Sequence, residues 1–122
     1  MSRRDPMAPA RPIVEARSGG VCERCGAVRA ASIHHRKLRR HGDHAPANLV
    51  HLCGSGTTGC HGWVHANPAA ALLEGFMCPS WEDPRLQPVK HAWLGRVLLV
   101  DDGSVDPVPL CQEHSMAGRR DR

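Results

Sequence analysis

Tyrosine is missing from this 122-residue chain, and one phenylalanine with three tryptophans brings the aromatic share to only 3%. Aromatic side chains supply the largest buried areas in most small cores. Their scarcity excludes a domain held by bulky packing alone and calls for a staple of another kind. Long hydrophobic runs are lacking too: no stretch approaches the roughly 20 apolar residues that span a bilayer. The opening Met1-Ser2-Arg3-Arg4-Asp5-Pro6 is polar, without the apolar segment of a secretory signal. No membrane association is therefore expected, and a cytoplasmic location is. In that setting six cysteines at short spacings beside nine histidines read as metal ligands rather than disulfides. Charge of one sign is only mildly in excess. Sixteen Lys and Arg against twelve Asp and Glu give +4 and a pI near 9.0, which favours a polyanionic partner without specifying one.

The chemistry-bearing residues are concentrated. Residues 1–18 are proline-rich and basic with no sustained hydrophobic period, and are expected to form a flexible arm within reach of a polyanion. Residues 19–77 hold four of the six cysteines and seven of the nine histidines, and are expected to form the functional domain. Within them, Ser32-Ile33-His34-His35 and Leu49-Val50-His51-Leu52 lean towards strands across a polar, basic loop. From Cys60 to Asn67 the chain reads as a short helix, stopped before Pro68, and a second helix over Ala69 to Glu74 ends at Gly75. The local order is β, β, α. Residues 78–122 form an extension with a strand over Arg96–Val100, a turn at Asp101-Asp102-Gly103-Ser104 and a further strand near Val105. Trp81 and Trp93 are expected to pack there, covering the central domain. The overall class is α+β.

Cys22-x-x-Cys25 followed by Gly26 suits half of a tetrahedral zinc knuckle. Cys53 and Cys60, separated by six residues that include three glycines, supply the other half. Zinc held by this quartet would make metal binding and folding one free energy, offsetting the thin apolar core. Cys78 and Cys111 receive no role. His34 and His35 are neighbours on a strand and point to opposite faces, so they take different jobs. His61 and His65, four apart on a helix, share a face. One strand imidazole and two helix imidazoles would leave open positions on an ion, the mark of a catalytic site, and the fourth is then available as a base.

Cys22-x-x-Cys25, His34-His35-Arg36, Asn48-Leu49-Val50-His51-Leu52-Cys53 and Gly59-Cys60-His61-Gly62-Trp63-Val64-His65-Ala66-Asn67-Pro68 together resemble the HNH endonucleases, particularly the small ones of phages. The resemblance covers about residues 22–68, with its three letters on His35, Asn48 and His61. It implies a ββα-metal finger carrying a zinc knuckle, and hydrolysis of DNA phosphodiester bonds. His35 would be the general base. His34, His61 and His65 would hold a catalytic divalent ion, whether Mg2+, Mn2+, Ni2+ or Zn2+. Asn48 would brace the loop between the strands, and Arg36 would clamp phosphate. The resemblance further implies a place in phage DNA processing or packaging inside the host cytoplasm, with terminase as a partner.

Arg36, Lys37, Arg39 and Arg40 put four cations within five residues after the proposed base. Such a run is usually a solvated face. Its position beside the histidines makes it a candidate for contacts with the DNA backbone. The competing reading keeps the zinc and loses the cleavage: a non-catalytic DNA-binding or packaging adaptor module whose histidines only decorate a basic surface.

Overall fold

The computed structural model describes residues 5–38 and 43–108. Its elements are helix α1 (Arg11–Ser18), strands β1 (Ser32–His35) and β2 (Leu49–Leu52), helices α2 (Gly59–Ala66) and α3 (Pro68–Glu74), then strands β3 (Val89–His91), β4 (Gly95–Leu99) and β5 (Val105–Pro107), with short 3-10 turns at Pro46–Asn48 and Pro84–Leu86. The chain is a small α+β protein with two antiparallel sheets, β1-β2 and the meander β3-β4-β5. Among the described residues no helix is long and apolar enough to cross a membrane.

Strand β2 is buried at all four positions, and its two faces serve different neighbours. Val50 and Leu52 join Val64 of α2, Phe76, and Val89, Val97 and Leu99 of the second sheet in the main core. Leu49 faces the other way, against Ala10 and Val14. The alternation follows from the two-residue period of a strand. In the register, Ser32 pairs with Leu52 and His35 with Leu49, so β1 delivers its two histidines beside the apolar half of β2.

Helix α1 stands where the sequence suggests an arm. Ala10, Val14 and Ser18 are all buried, at the i, i+4, i+8 spacing of one helical stripe. That stripe covers the outer face of β2, and full burial of a valine contributes roughly 1.5–3 kcal/mol. A stripe of one alanine, one valine and one serine, with Pro12, Ile13 and Ala16 on the remaining surface of the segment, carries too little apolar contrast to be recognised without its partner surface.

Two further expectations change. Trp81 is 80% exposed and Trp93 47% exposed, so neither anchors the C-terminal sheet. Phe76, Val89, Val97 and Leu99 do so instead. Arg36, expected to meet phosphate, is fully buried. Its guanidinium donates to the carbonyl oxygens of Gly75 (2.8 Å), Ala47 (2.8 Å), Pro84 (3.0 Å) and Gln87 (2.7 Å). These lie at the end of α3 and in or beside both 3-10 turns, so the side chain pins the β1-β2 unit to the segment that follows it. With every donor nitrogen committed to a carbonyl, Arg36 is a structural pin and not a phosphate clamp or DNA contact.

Two candidate metal centres

The sulfurs of Cys22, Cys25, Cys53 and Cys60 lie within 4.8 Å of one another. Zinc-sulfur bonds of about 2.3 Å put tetrahedral ligands about 3.8 Å apart, inside that limit. All five described cysteines are free thiols. Backbone N–H groups already point at the sulfurs: Cys25 N donates to Cys22 Sγ at 3.5 Å and Cys60 N to Cys53 Sγ at 3.3 Å. The wide Cys53–Cys60 loop closes through two of its three glycines. Gly54 and Gly59 have φ of 80° and 63°, and a Cβ on Gly54 would sit 2.1 Å from the Thr58 carbonyl oxygen.

Arg24, inside the first cysteine pair, ties this centre to the helices. Its guanidinium lies 3.6 Å from the centroid of Trp63, pairs with Glu74 at 2.8 Å and donates to Cys60 Sγ at 3.4 Å. A cation there opposes the negative charge that four thiolates would bring. Burial pushes the Cys60 thiol up to about 12. At exposed Cys25 burial acts in the same direction but is outweighed by hydrogen bonds from Ala27, Cys22 and Val28, which bring the thiol down to about 7. An ion entering this site therefore displaces protons, and its affinity falls as pH falls.

The second group comprises His34 from the end of β1 and His61 and His65 from α2, whose ligand nitrogens also lie within 4.8 Å of one another. The rings meet at centroid distances of 5.1, 5.1 and 4.9 Å. The four-residue spacing on α2 brings His61 and His65 to one face, and β1 packs so that His34 meets both. His34 Nε2 donates to the Phe76 carbonyl oxygen at 2.8 Å, leaving Nδ1 for the group. His61 Nδ1 lies 2.7 Å from Ser32 Oγ, leaving Nε2. Burial, with the neighbouring imidazoles, holds His34 down to about 3 against the bond to Phe76, and burial lowers His61 as well. Both rings are thus neutral near pH 7 and can offer a lone pair.

A cleft of about 220 Å³ opens beside this group, lined by His34, His35, His61 and His65 with Met7, Ile33 and Leu38. His35 stays out of the three-histidine group, and its Nε2 lies 2.9 Å from His44 Nδ1. Asn48 is fully buried. Its side-chain oxygen accepts from Lys37 N at 2.8 Å, and its amide donates to Lys37 O at 3.2 Å and Asp43 O at 2.9 Å. It therefore ties Lys37, two residues after His35, to Asp43, the neighbour of His44. Half-buried Lys37 rests its ammonium on the Glu82 carbonyl at 2.8 Å. Arg39 and Arg40 lie outside the described residues, as does Cys111.

Ser32, Arg24, His44 and the Phe76 carbonyl were not singled out from sequence. A lone serine at a strand start and an arginine between two cysteines carry no spacing signal, and a backbone carbonyl carries none at all. Set against protein-family models, curated proteins and solved structures, the chain matches none of them. Function must accordingly be argued from the residues of the site.

Proposed function

We propose that this chain is a metal-dependent endonuclease of the HNH type, hydrolysing DNA phosphodiester bonds on a ββα-metal finger made of β1, β2 and α2. The observation that carries this reading is the convergence of His34, His61 and His65 on a cleft that His35 also lines. The donor set fits an ion: two of the three imidazoles have their other nitrogen occupied by an oxygen, the arrangement that orients metal-binding histidines. Three nitrogen donors suit zinc or nickel better than magnesium, which prefers oxygen. A divalent ion held there would stabilise the charge that develops on the scissile phosphate and the leaving 3′ oxygen.

The chain's own groups have separate tasks in this reaction. His35 accepts the proton of the attacking water, with His44 holding its ring through Nε2. Asn48 keeps the segments on which both imidazoles stand at a fixed separation. Lys37, with Arg39 and Arg40, holds phosphates of the DNA backbone, so binding weakens as salt rises. The cysteine quartet holds a structural zinc that fixes the start of α2. Cutting within a phage packaging assembly, with terminase as partner, would use the same chemistry in a larger particle.

The test is plasmid nicking by the parent chain and by His35→Ala, with magnesium, manganese, nickel or zinc added and bound zinc measured in both. The parent should nick, and the variant should lose about 10²- to 10⁴-fold in rate, the usual worth of a general base. Equal rates with the structural zinc retained would remove His35 from that role. A parent that binds DNA and cuts it with none of the metals would instead be the zinc-bound adaptor module.

A further inference from the structure

We propose that Ser32 is a positioning residue that selects the metal-binding tautomer of His61 and thereby sets the affinity of the three-histidine site. The proposal rests on that site being a metal site, not on the reaction performed there.

A serine hydroxyl has one proton to donate and lone pairs to accept with. Ser32 Oγ donates to the Gly54 carbonyl oxygen at 2.9 Å, which has no proton of its own to offer. The same oxygen lies 2.7 Å from His61 Nδ1. With its proton committed to Gly54, Ser32 Oγ can only accept there, so Nδ1 of His61 carries the hydrogen. The lone pair of the neutral ring then resides on Nε2, the nitrogen that the contact with Ser32 leaves to the group formed with His34 and His65. In the opposite tautomer a hydrogen on Nε2 would occupy the space an ion needs, and Nδ1 would face a hydroxyl with no proton left to give.

His34 is governed differently. Its Nε2 is held by the backbone carbonyl of Phe76, a restraint that no side-chain substitution removes directly. His61 depends on one hydroxyl, and that makes the dependence testable. The hydroxyl has a further consequence, because Gly54 directly follows Cys53. Ser32 thus joins a ligand of the histidine centre to the loop that carries two ligands of the cysteine centre. Metal-binding histidines whose outer nitrogen loses its partner commonly lose 10- to 100-fold in metal affinity.

The experiment uses the full chain loaded with one equivalent of zinc at the cysteines. Nickel is titrated into the parent, Ser32→Ala and Ser32→Thr, and the tautomer of His61 is read from its imidazole 15N shifts before nickel is added. Ser32→Ala should bind nickel about 10- to 100-fold more weakly, lose the Nδ1–H signature and keep its zinc. Ser32→Thr retains the hydroxyl on a side chain suited to a strand, and should restore both the affinity and the tautomer. Unchanged nickel affinity in Ser32→Ala, or a threonine variant as weak as the alanine one, would overturn the assignment. Loss of zinc along with nickel would also overturn it, by making the hydroxyl a brace of the fold. A parent that takes up no nickel beyond its zinc would remove the metal site itself. Nickel binding that depends on Ser32 without any DNA cleavage would leave this proposal standing and the nuclease reading not.

Discussion

Two side chains from the same short stretch illustrate how burial divides residues of similar sequence signal. Arg36 and Lys37 are consecutive cations after the histidine pair. Arg36 turns inward onto four carbonyl oxygens, whereas Lys37 stays half-buried with a single carbonyl contact. Burial lowers the Arg36 guanidinium to about 10, so it is still charged at neutral pH and its donors are matched by oxygen dipoles. Replacing it strands several buried acceptors at about 1–3 kcal/mol each. Arg36→Met should therefore lose more than about 3 kcal/mol of stability in urea unfolding; a variant of parental stability whose DNA binding has a shallower salt dependence would return Arg36 to the DNA surface. Asn48 belongs to the same class of inward polar residue. Its three hydrogen bonds and complete burial make Asn48→Ala costly to the loop it spans, with cleavage falling more than metal binding at the histidines if it only positions His35.

At the level of elements, α2 is the piece on which the two centres depend together. Eight residues make a helix too short to persist alone in water. It is held by Val64 in the core, by Cys60 at its start, and by Arg24 stacked on Trp63. Its second and seventh residues, Cys60 and His65, therefore belong to the two candidate centres on one short helix. Removing zinc with a chelator, or substituting Cys60→Ala, should release α2 from the first cysteine pair and abolish both nickel uptake at the histidines and cleavage. The loss should appear in far-ultraviolet circular dichroism as well as in activity. A folded, cutting Cys60→Ala protein would separate the two centres.

On the scale of the whole molecule, one buried carboxylate links parts of the chain that are far apart in sequence. Glu23 is paired with Arg17 of α1 at 2.8 Å and lies 2.9 Å from His91 Nε2 of β3, and it accepts the N–H of His51 in β2 at 2.9 Å. Arg17 also donates to the carbonyls of Pro46 and Leu49. Burial alone would raise the Glu23 carboxyl. The bonds from Arg17, His91 and His51 outweigh it and bring the group from 4.5 to about 2. A carboxyl depressed on folding contributes its full stability above its unfolded value and loses it as pH falls through the folded one. That contribution, on the order of 3 kcal/mol, should disappear between about pH 4.5 and 2. Comparing Glu23→Gln with the parent isolates it, since thiolate protonation and zinc loss act on both. The variant should be less stable at neutral pH and show a flatter acid limb. Parallel acid limbs would mean that the network contributes nothing to acid stability.

Much of this architecture was legible in the residue order, because the signals involved are local. The β-leaning stretches at Ser32–His35 and Leu49–Leu52, the helix closed before Pro68, the cysteine spacings and the four-residue step from His61 to His65 each depend on neighbours a few positions away. The sequence by itself thus determined which residues could form two metal-binding groups and on which elements they would stand. Only the tertiary structure decided which arginine faces inward, that a helix covers β2 where an arm was expected, which hydroxyl and which carbonyl hold the outer nitrogens of the histidines, and that Glu23 joins α1 to the second sheet. Those outcomes depend on burial and on partners up to 68 residues away, and no short window of sequence contains both members of such a pair.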